Sequence, residues 1–214
     1  MKLYNYFRSS ASYRVRIALN FKALPYEYVP LHLVKDGGAQ NTEQFKHLNP
    51  EGLIPVLVDE GHALTQSLAI IEYLEETHPL PPLLPRDPFD RAYVRAIALA
   101  IACEIHPLNN LRVLKYVKNT LNAGEEGKDT WYRHWCKHGL QAVEAQVGKH
   151  RKAGRFCLGD TPTMADVCLV PQWANAQRFN TDLSGCPLLE KIVANCHELE
   201  AFANAAPGKQ PDAE

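Results

Sequence analysis

Five of the chain's 15 prolines, Pro79, Pro81, Pro82, Pro85 and Pro88, fall within ten residues. Proline fixes φ and lacks an amide hydrogen, so neither a helix interior nor a central strand can run through such a stretch. The spacing therefore divides the chain into residues 1–80 and 89–214, with a linker over 81–88. At 214 residues and 46% hydrophobic content, the chain can bury a core without a metal or disulfide staple.

The two parts carry different periodicities. Before the prolines, extended and helical patterns alternate. Strands are predicted over residues 3–7, 26–31, 54–58 and 63–65, and helices over 12–23, 42–48 and 67–77. The order is βαβαββα. Its first half implies parallel strands with a right-handed crossover, and the tight turn at Asp59-Glu60-Gly61 implies an antiparallel pair. After the prolines only helical spacing appears, over 90–104, 107–121, 130–147, 163–179 and 187–205. Thr163-Met-Ala-Asp166 has the form of a capping box and marks one helix start. The expected architecture is a small α/β domain followed by an all-α domain.

Charge and cysteines narrow the function. The chain has 23 Lys+Arg and 24 Asp+Glu, a formal charge of −1. That balance argues against general nucleic-acid or membrane-surface binding and for a small-molecule partner. Residues 1–26 hold Lys2, Arg8, Arg14, Arg16 and Lys22 but no acid, which predicts a positive patch. A strand two residues in argues that this segment belongs to the folded protein, and the location expected is cytoplasmic. The longest apolar run, residues 96–103, suits a buried helix and is too short to span a membrane. The six cysteines have no zinc-like spacing and read as free thiols in a reducing compartment. His134 and His138 stand four apart without a third ligand nearby, so no metal site is expected.

Candidate chemistry lies at the helix starts of the first part. Arg8-Ser9-Ser10-Ala11-Ser12 joins the first strand to the first helix, where free amide groups and the helix dipole favour an anion. Serine there is also an ordinary cap. Gln66-Ser67 opens the last helix of this part, with Ser67 the N-cap candidate and a second anion site. Ile54-Pro55 precedes a strand. Nothing fits a serine hydrolase, because no GxSxG elbow is present.

Together these features resemble the glutathione transferase superfamily, with a thioredoxin-like first domain and a helical second domain. The resemblance sharpens to the zeta class, the maleylacetoacetate isomerases. It rests on Tyr6-Phe-Arg-Ser-Ser10, Arg14-Val-Arg-Ile-Ala-Leu19, Leu33-Val-Lys-Asp-Gly-Gly38, the run from Gln66 to Glu76, Gly159-Asp160 with Met164-Ala-Asp166, and Gln210-Pro-Asp212. It implies glutathione as coenzyme, a homodimer, and cis–trans isomerisation of maleylacetoacetate to fumarylacetoacetate by thiolate addition, bond rotation and elimination. By the same resemblance Ser9 and Ser10 face the sulfur. A cis Pro55 presents the Ile54 backbone to the cysteinyl part, and Gln66 and Ser67 hold the γ-glutamyl end. Gln40 also touches the tripeptide, and His106 and Asn110 close the site. Arg8 and Arg178 bind the acidic substrate, with Arg112 as a weaker candidate. Where members of the class read Ser-Ser-Cys, this chain reads Ser9-Ser10-Ala11, so no cysteine at that position takes part. Three other activities remain open at this level. They are maleylpyruvate isomerisation, glutathione transfer to electrophiles or α-halo acids, and a non-catalytic glutathione-binding scaffold.

Overall fold

The N-terminal alternation folds as a four-stranded mixed sheet. The computed structural model describes Met1–Glu214. Strands β1 (Lys2–Asn5), β2 (Glu27–Pro30), β3 (Val56–Asp59) and β4 (His62–Thr65) lie in the order β2-β1-β3-β4. β1 runs parallel to β2, with Leu3 opposite Tyr28, and antiparallel to β3, with Leu3 opposite Leu57. β4 returns antiparallel to β3 through Glu60-Gly61, both at positive φ. Helices α1 (Ser10–Phe21) and α2 (Glu43–Leu48) connect the strands, α3 (Ser67–Thr77) follows β4, and α1 packs on α3. Leu3, Val15, Leu19, Leu57, Ile70, Ile71 and Leu74 are wholly buried. Those on α1 and α3 recur at helical spacing, which is why these segments bury one face.

The chain divides into two compact units, and the division differs from the one the prolines suggest. One unit is Met1–Leu83 together with Glu198–Glu214; the other is Leu84–His197. Residues 198–214, expected in the helical domain, group with the sheet. The side chains explain this: the buried Arg16 donates through Nε to Ala205 O at 3.1 Å, and Tyr13 Oη donates to Phe202 O at 3.3 Å. Helix α10 (Glu200–Ala203) also packs on α1.

The second unit is helical throughout. Its helices are α4 (Pro88–Leu99), α5 (His106–Leu108), α6 (Leu111–Lys115), α7 (Gly124–Lys149), α8 (Met164–Arg178) and α9 (Pro187–His197). Pro88, read as linker, is the first residue of α4, and Asp87 caps it by accepting from the Phe89 and Asp90 amides. Proline is tolerated there because that amide has no helical partner. The helix expected over 107–121 is broken: Asn110 starts α6 by accepting from the Arg112 amide. Wide π turns lie on either side, at residues 100–105 before α5 and 116–120 after α6. Gly139 of α7 lies against the first of these; a Cβ there would stand 2.3 Å from Ile105 Cγ1. The capping box of α8 forms. The wholly buried Asp166 accepts from the Thr163 amide and hydroxyl and from the Cys157 amide at 2.8, 2.9 and 2.8 Å. No helix is long and apolar enough to cross a membrane.

Candidate active site

The turn from β1 into α1 builds the first part of the site. Ser9 is the N-cap of α1: its Oγ accepts from the Ser12 amide at 3.2 Å, and its own amide donates to Tyr6 O at 3.0 Å. Because Oγ is the acceptor in the cap, the hydroxyl hydrogen stays available for a second partner. Ser9 is half-buried, whereas Ser10, the first helical residue, is buried. No acidic residue stands in the first turn of α1. The free amides and dipole at this end are therefore uncompensated, and an anion there is stabilised by about 0.3–1 kcal/mol. Arg8 is exposed, forms no ion pair, and holds its guanidinium 4.7 Å from the Phe7 ring centroid.

Two further segments of the same unit carry the other expected residues. The Ile54–Pro55 bond is cis, and Ile54 precedes the first paired residue of β3, Val56. Gln40 is buried and donates from Nε2 to Leu33 O at 3.2 Å, while its Oε1 is enclosed without a partner. An acceptor in that condition suits a ligand N–H. At α3 the expected cap is displaced by one residue. Gln66 rather than Ser67 is the N-cap, at φ 67° and ψ 114°. Ser67 is instead the first helical residue, and its Oγ accepts from Arg14 Nη1 at 3.2 Å. Gln66 donates from Nε2 to Glu51 Oε2 at 3.0 Å. Like α1, α3 has no acid in its first turn.

Arg14 and Glu51 are the residues sequence reasoning missed here. Arg14 has a signal, as a cation at an apolar helical spacing in α1, but the acid-free stretch around it reads as a positive patch. Glu51 sits in a turn with no periodicity to mark it. The patch itself does not exist. Arg14 and Arg16 are 2% and 0% exposed. Lys22 pairs with Glu75 at 2.5 Å with both side chains buried, and Lys2 pairs with Glu27 at the surface. Of the five N-terminal cations, only Arg8 is left to meet a ligand.

The remaining candidates belong to the helical unit. His106 opens α5 and is half-buried. Asn110 spends its Oδ1 on capping α6, which leaves its amide nitrogen to donate. Arg112 is exposed on α6. Arg178 is exposed in the last turn of α8, its guanidinium 4.8 Å from the Phe179 ring centroid. Phe179 in turn stacks on Tyr132 at 3.8 Å, which fixes the platform under Arg178. The structure thus brings Arg8, Ser9 and Ser10 together in one turn and Gln66 and Ser67 at one helix start. A cavity of about 370 Å³ lined by Asn20, Ala23, Leu24 and Glu200 lies at the opposite end of α1 from the serines.

Comparison with known proteins gives consistent findings. Residues 3–82 match the family model of the glutathione S-transferase N-terminal domain. The maleylacetoacetate isomerase of Mus musculus is 50% identical over 98% of this chain and 94% of its own. Two solved structures superpose over the full length of both chains. One is a holo maleylpyruvate isomerase, described as a bacterial zeta-class transferase, at TM-score 0.97 and 48% identity. The other is a maleylacetoacetate isomerase of Methylobacterium extorquens with bound malonate and glutathione, at TM-score 0.96 and 40% identity.

Proposed function

The chain belongs to the zeta class of the glutathione S-transferase family, and on that premise we propose that it is a glutathione-dependent cis–trans isomerase converting maleylacetoacetate to fumarylacetoacetate. The observation that carries the reading is the acid-free start of α1, where Ser9 has a hydroxyl hydrogen to give and Arg8 stands unpaired beside it.

The residues fit the tripeptide. Gln40 Oε1 is a buried acceptor awaiting a donor, and the Ile54 backbone lies outside the ladder. The α3 N-terminus, backed by buried Arg14, suits the γ-glutamyl carboxylate, and Glu51 beside Gln66 suits the ammonium. When bound, glutathione supplies a thiolate nucleophile that is returned unchanged once the double bond has turned. The protein's task is to keep that sulfur ionised near pH 7, whereas a free thiol has a pKa of about 8.5. A lowering of two units requires about 2.7 kcal/mol. A hydroxyl bond to a charged partner contributes about 1.5–3 kcal/mol, and the helix terminus about 0.3–1. Ser9 and α1 together suffice without a cysteine, so Ala11 is no obstacle. Arg8 presents a guanidinium fork to a substrate carboxylate, and the substrate roles of Arg178 and Arg112 and the tripeptide roles of His106 and Asn110 rest on the family resemblance alone. Arg8 also stands ready for the negative charge that grows on the substrate oxygen.

An absorbance assay of maleylacetoacetate tests this. Conversion to the trans acid is expected only with glutathione present, and the thiol is expected to be recovered in full. Equal conversion without glutathione, or a stable conjugate as product, would refute it. A second reading is favoured by the 48% identity to the maleylpyruvate isomerase. The same residues would serve that shorter diacid, and kcat/KM on the two substrates decides between them. On family grounds the enzyme works as a homodimer in the cytoplasm, and sedimentation at twice the chain mass checks the first of these.

A further inference from the structure

The last five residues touch no reacting group in the scheme above, yet they bond to two segments that carry it. Gln210 anchors this tail by donating to Asn204 O and Ala206 O, both at 2.9 Å. Asp212 Oδ2 accepts from the Phe7 amide at 3.2 Å, and its Oδ1 accepts from the Tyr28 hydroxyl. The Phe7 carbonyl accepts from Arg16 Nη2 at 3.0 Å. The amide of Phe7, the residue before Arg8, is therefore held by the tail itself, and its carbonyl by Arg16 of α1, which also donates to Ala205 O. Tyr6 O accepts from Arg16 Nη1 at 3.3 Å and from the Ser9 amide at 3.0 Å, which extends the clamp to the cap of α1.

Glu214 reaches the second segment. Its carboxylate pairs with Lys35 and lies 3.5 Å from His32 Nε2. His32 Nδ1 accepts from the Val34 and Lys35 amides at 3.2 and 2.9 Å, and its carbonyl accepts from the Ala39 amide at 2.9 Å. Gln40 hangs from the same loop through Leu33 O. No strand ladder secures residues 32–41, and Gly37 and Gly38 both sit at positive φ.

We infer that the C-terminal tail is a strap whose two carboxylates position the glutathione site, Asp212 holding the turn of Arg8 and Ser9 and Glu214 holding the loop of Gln40. The inference rests on the site proposed above. The two ends differ in strength. Asp212 is partly buried and bonds to a backbone amide, so its loss leaves a donor unsatisfied. Glu214 and Lys35 are 41% and 63% exposed at their side chains, so their pair is weak and screened by salt.

The test uses the full-length enzyme with Asp212→Ala, Asp212→Asn, Glu214→Gln, Ser9→Ala and Ser10→Ala. Three quantities are read: glutathione affinity by calorimetry, the thiolate absorbance of bound glutathione against pH, and thermal unfolding. Asp212→Ala is expected to lower both kcat and the fraction of bound thiolate at pH 7 by about tenfold. Asp212→Asn keeps one acceptor and is expected to fall between it and the parent; it carries the test if the alanine variant does not fold. Glu214→Gln is expected to weaken glutathione binding about twofold at low salt, with no effect at about 0.5 M salt and none on the thiolate. If the serine variants shift the thiolate titration and the Asp212 variants do not, or lower only the unfolding temperature, the strap is refuted and the site stands. If the serine variants leave the titration unchanged, the serine assignment falls, and the strap with it.

Discussion

Arg8 and Arg16 show how far one residue type can diverge within a single turn-and-helix segment. Arg8 is exposed and unpaired, whereas Arg16 is wholly buried and donates to four oxygens: Asn5 Oδ1, Tyr6 O, Phe7 O and Ala205 O. Burial pulls the Arg16 guanidinium below its ordinary pKa, and nearby tyrosines and Asp212 oppose that only in part. Replacing Arg16 by Met should cost about 2–4 kcal/mol of stability, read as a lower urea midpoint, because several buried carbonyls lose their donor. Arg8→Ala should leave that midpoint unchanged and raise KM for the dicarboxylate about tenfold or more. In the sequence both fall in one acid-free, positive stretch. That pattern shows the missing acids but not the burial, because burial is set by residues some 190 positions away. The cysteines are a second case. All six are free thiols, and only Cys103 is exposed. A thiol reagent at pH 7.5 should modify Cys103 alone in the native enzyme, and Cys103→Ser should leave no reactive thiol while retaining activity.

Helix α3 illustrates what an element's pattern reveals and what it hides. The periodicity of Ile70, Ile71 and Leu74 predicts its span of Ser67–Thr77, which is the span observed. The pattern misplaces the capping residue, because a serine at a helix start looks like a cap. Ser67 is drawn instead into a bond with Arg14, and Gln66 takes the cap in the left-handed region. A side chain held there costs about 1–3 kcal/mol, which persists when the position serves a ligand. Gln66→Gly should relieve that cost, and the greater freedom of glycine in the unfolded chain returns about 0.5–1 kcal/mol of it. The expected outcome is a thermal midpoint equal to or above the parent's, with KM for glutathione raised about tenfold by loss of the amide contact. A lower midpoint with unchanged KM would show that Gln66 serves the fold alone. In the helical unit, long helices with strong spacing were legible. The segment 106–120 was not, since its apolar residues keep helical spacing across the cap at Asn110 and the π turns.

Across the whole molecule, the buried thiols set a limit at high pH. Burial pushes Cys136, Cys157, Cys186 and Cys196 upward, and Cys186, also near the Glu144 carboxylate, reaches about 11. A thiol raised in the folded state favours folding below its ordinary value, here 9.0, and loses that contribution as pH climbs through the folded value. The urea midpoint should therefore fall between pH 9 and 11, and Cys186→Ser should make that fall shallower. The sequence by itself determined the order of strands and helices, the break near the prolines and the helix starts that favour an anion. Those follow from φ restrictions, side-chain periodicity and capping, all of which act within a few residues. Only the tertiary structure decided which cations are buried, which residue caps α3, and that residues 198–214 return to the sheet unit. Each of these depends on a partner distant in sequence, such as Ala205 for Arg16 or Ser67 for Arg14, and local pattern carries no record of such pairs.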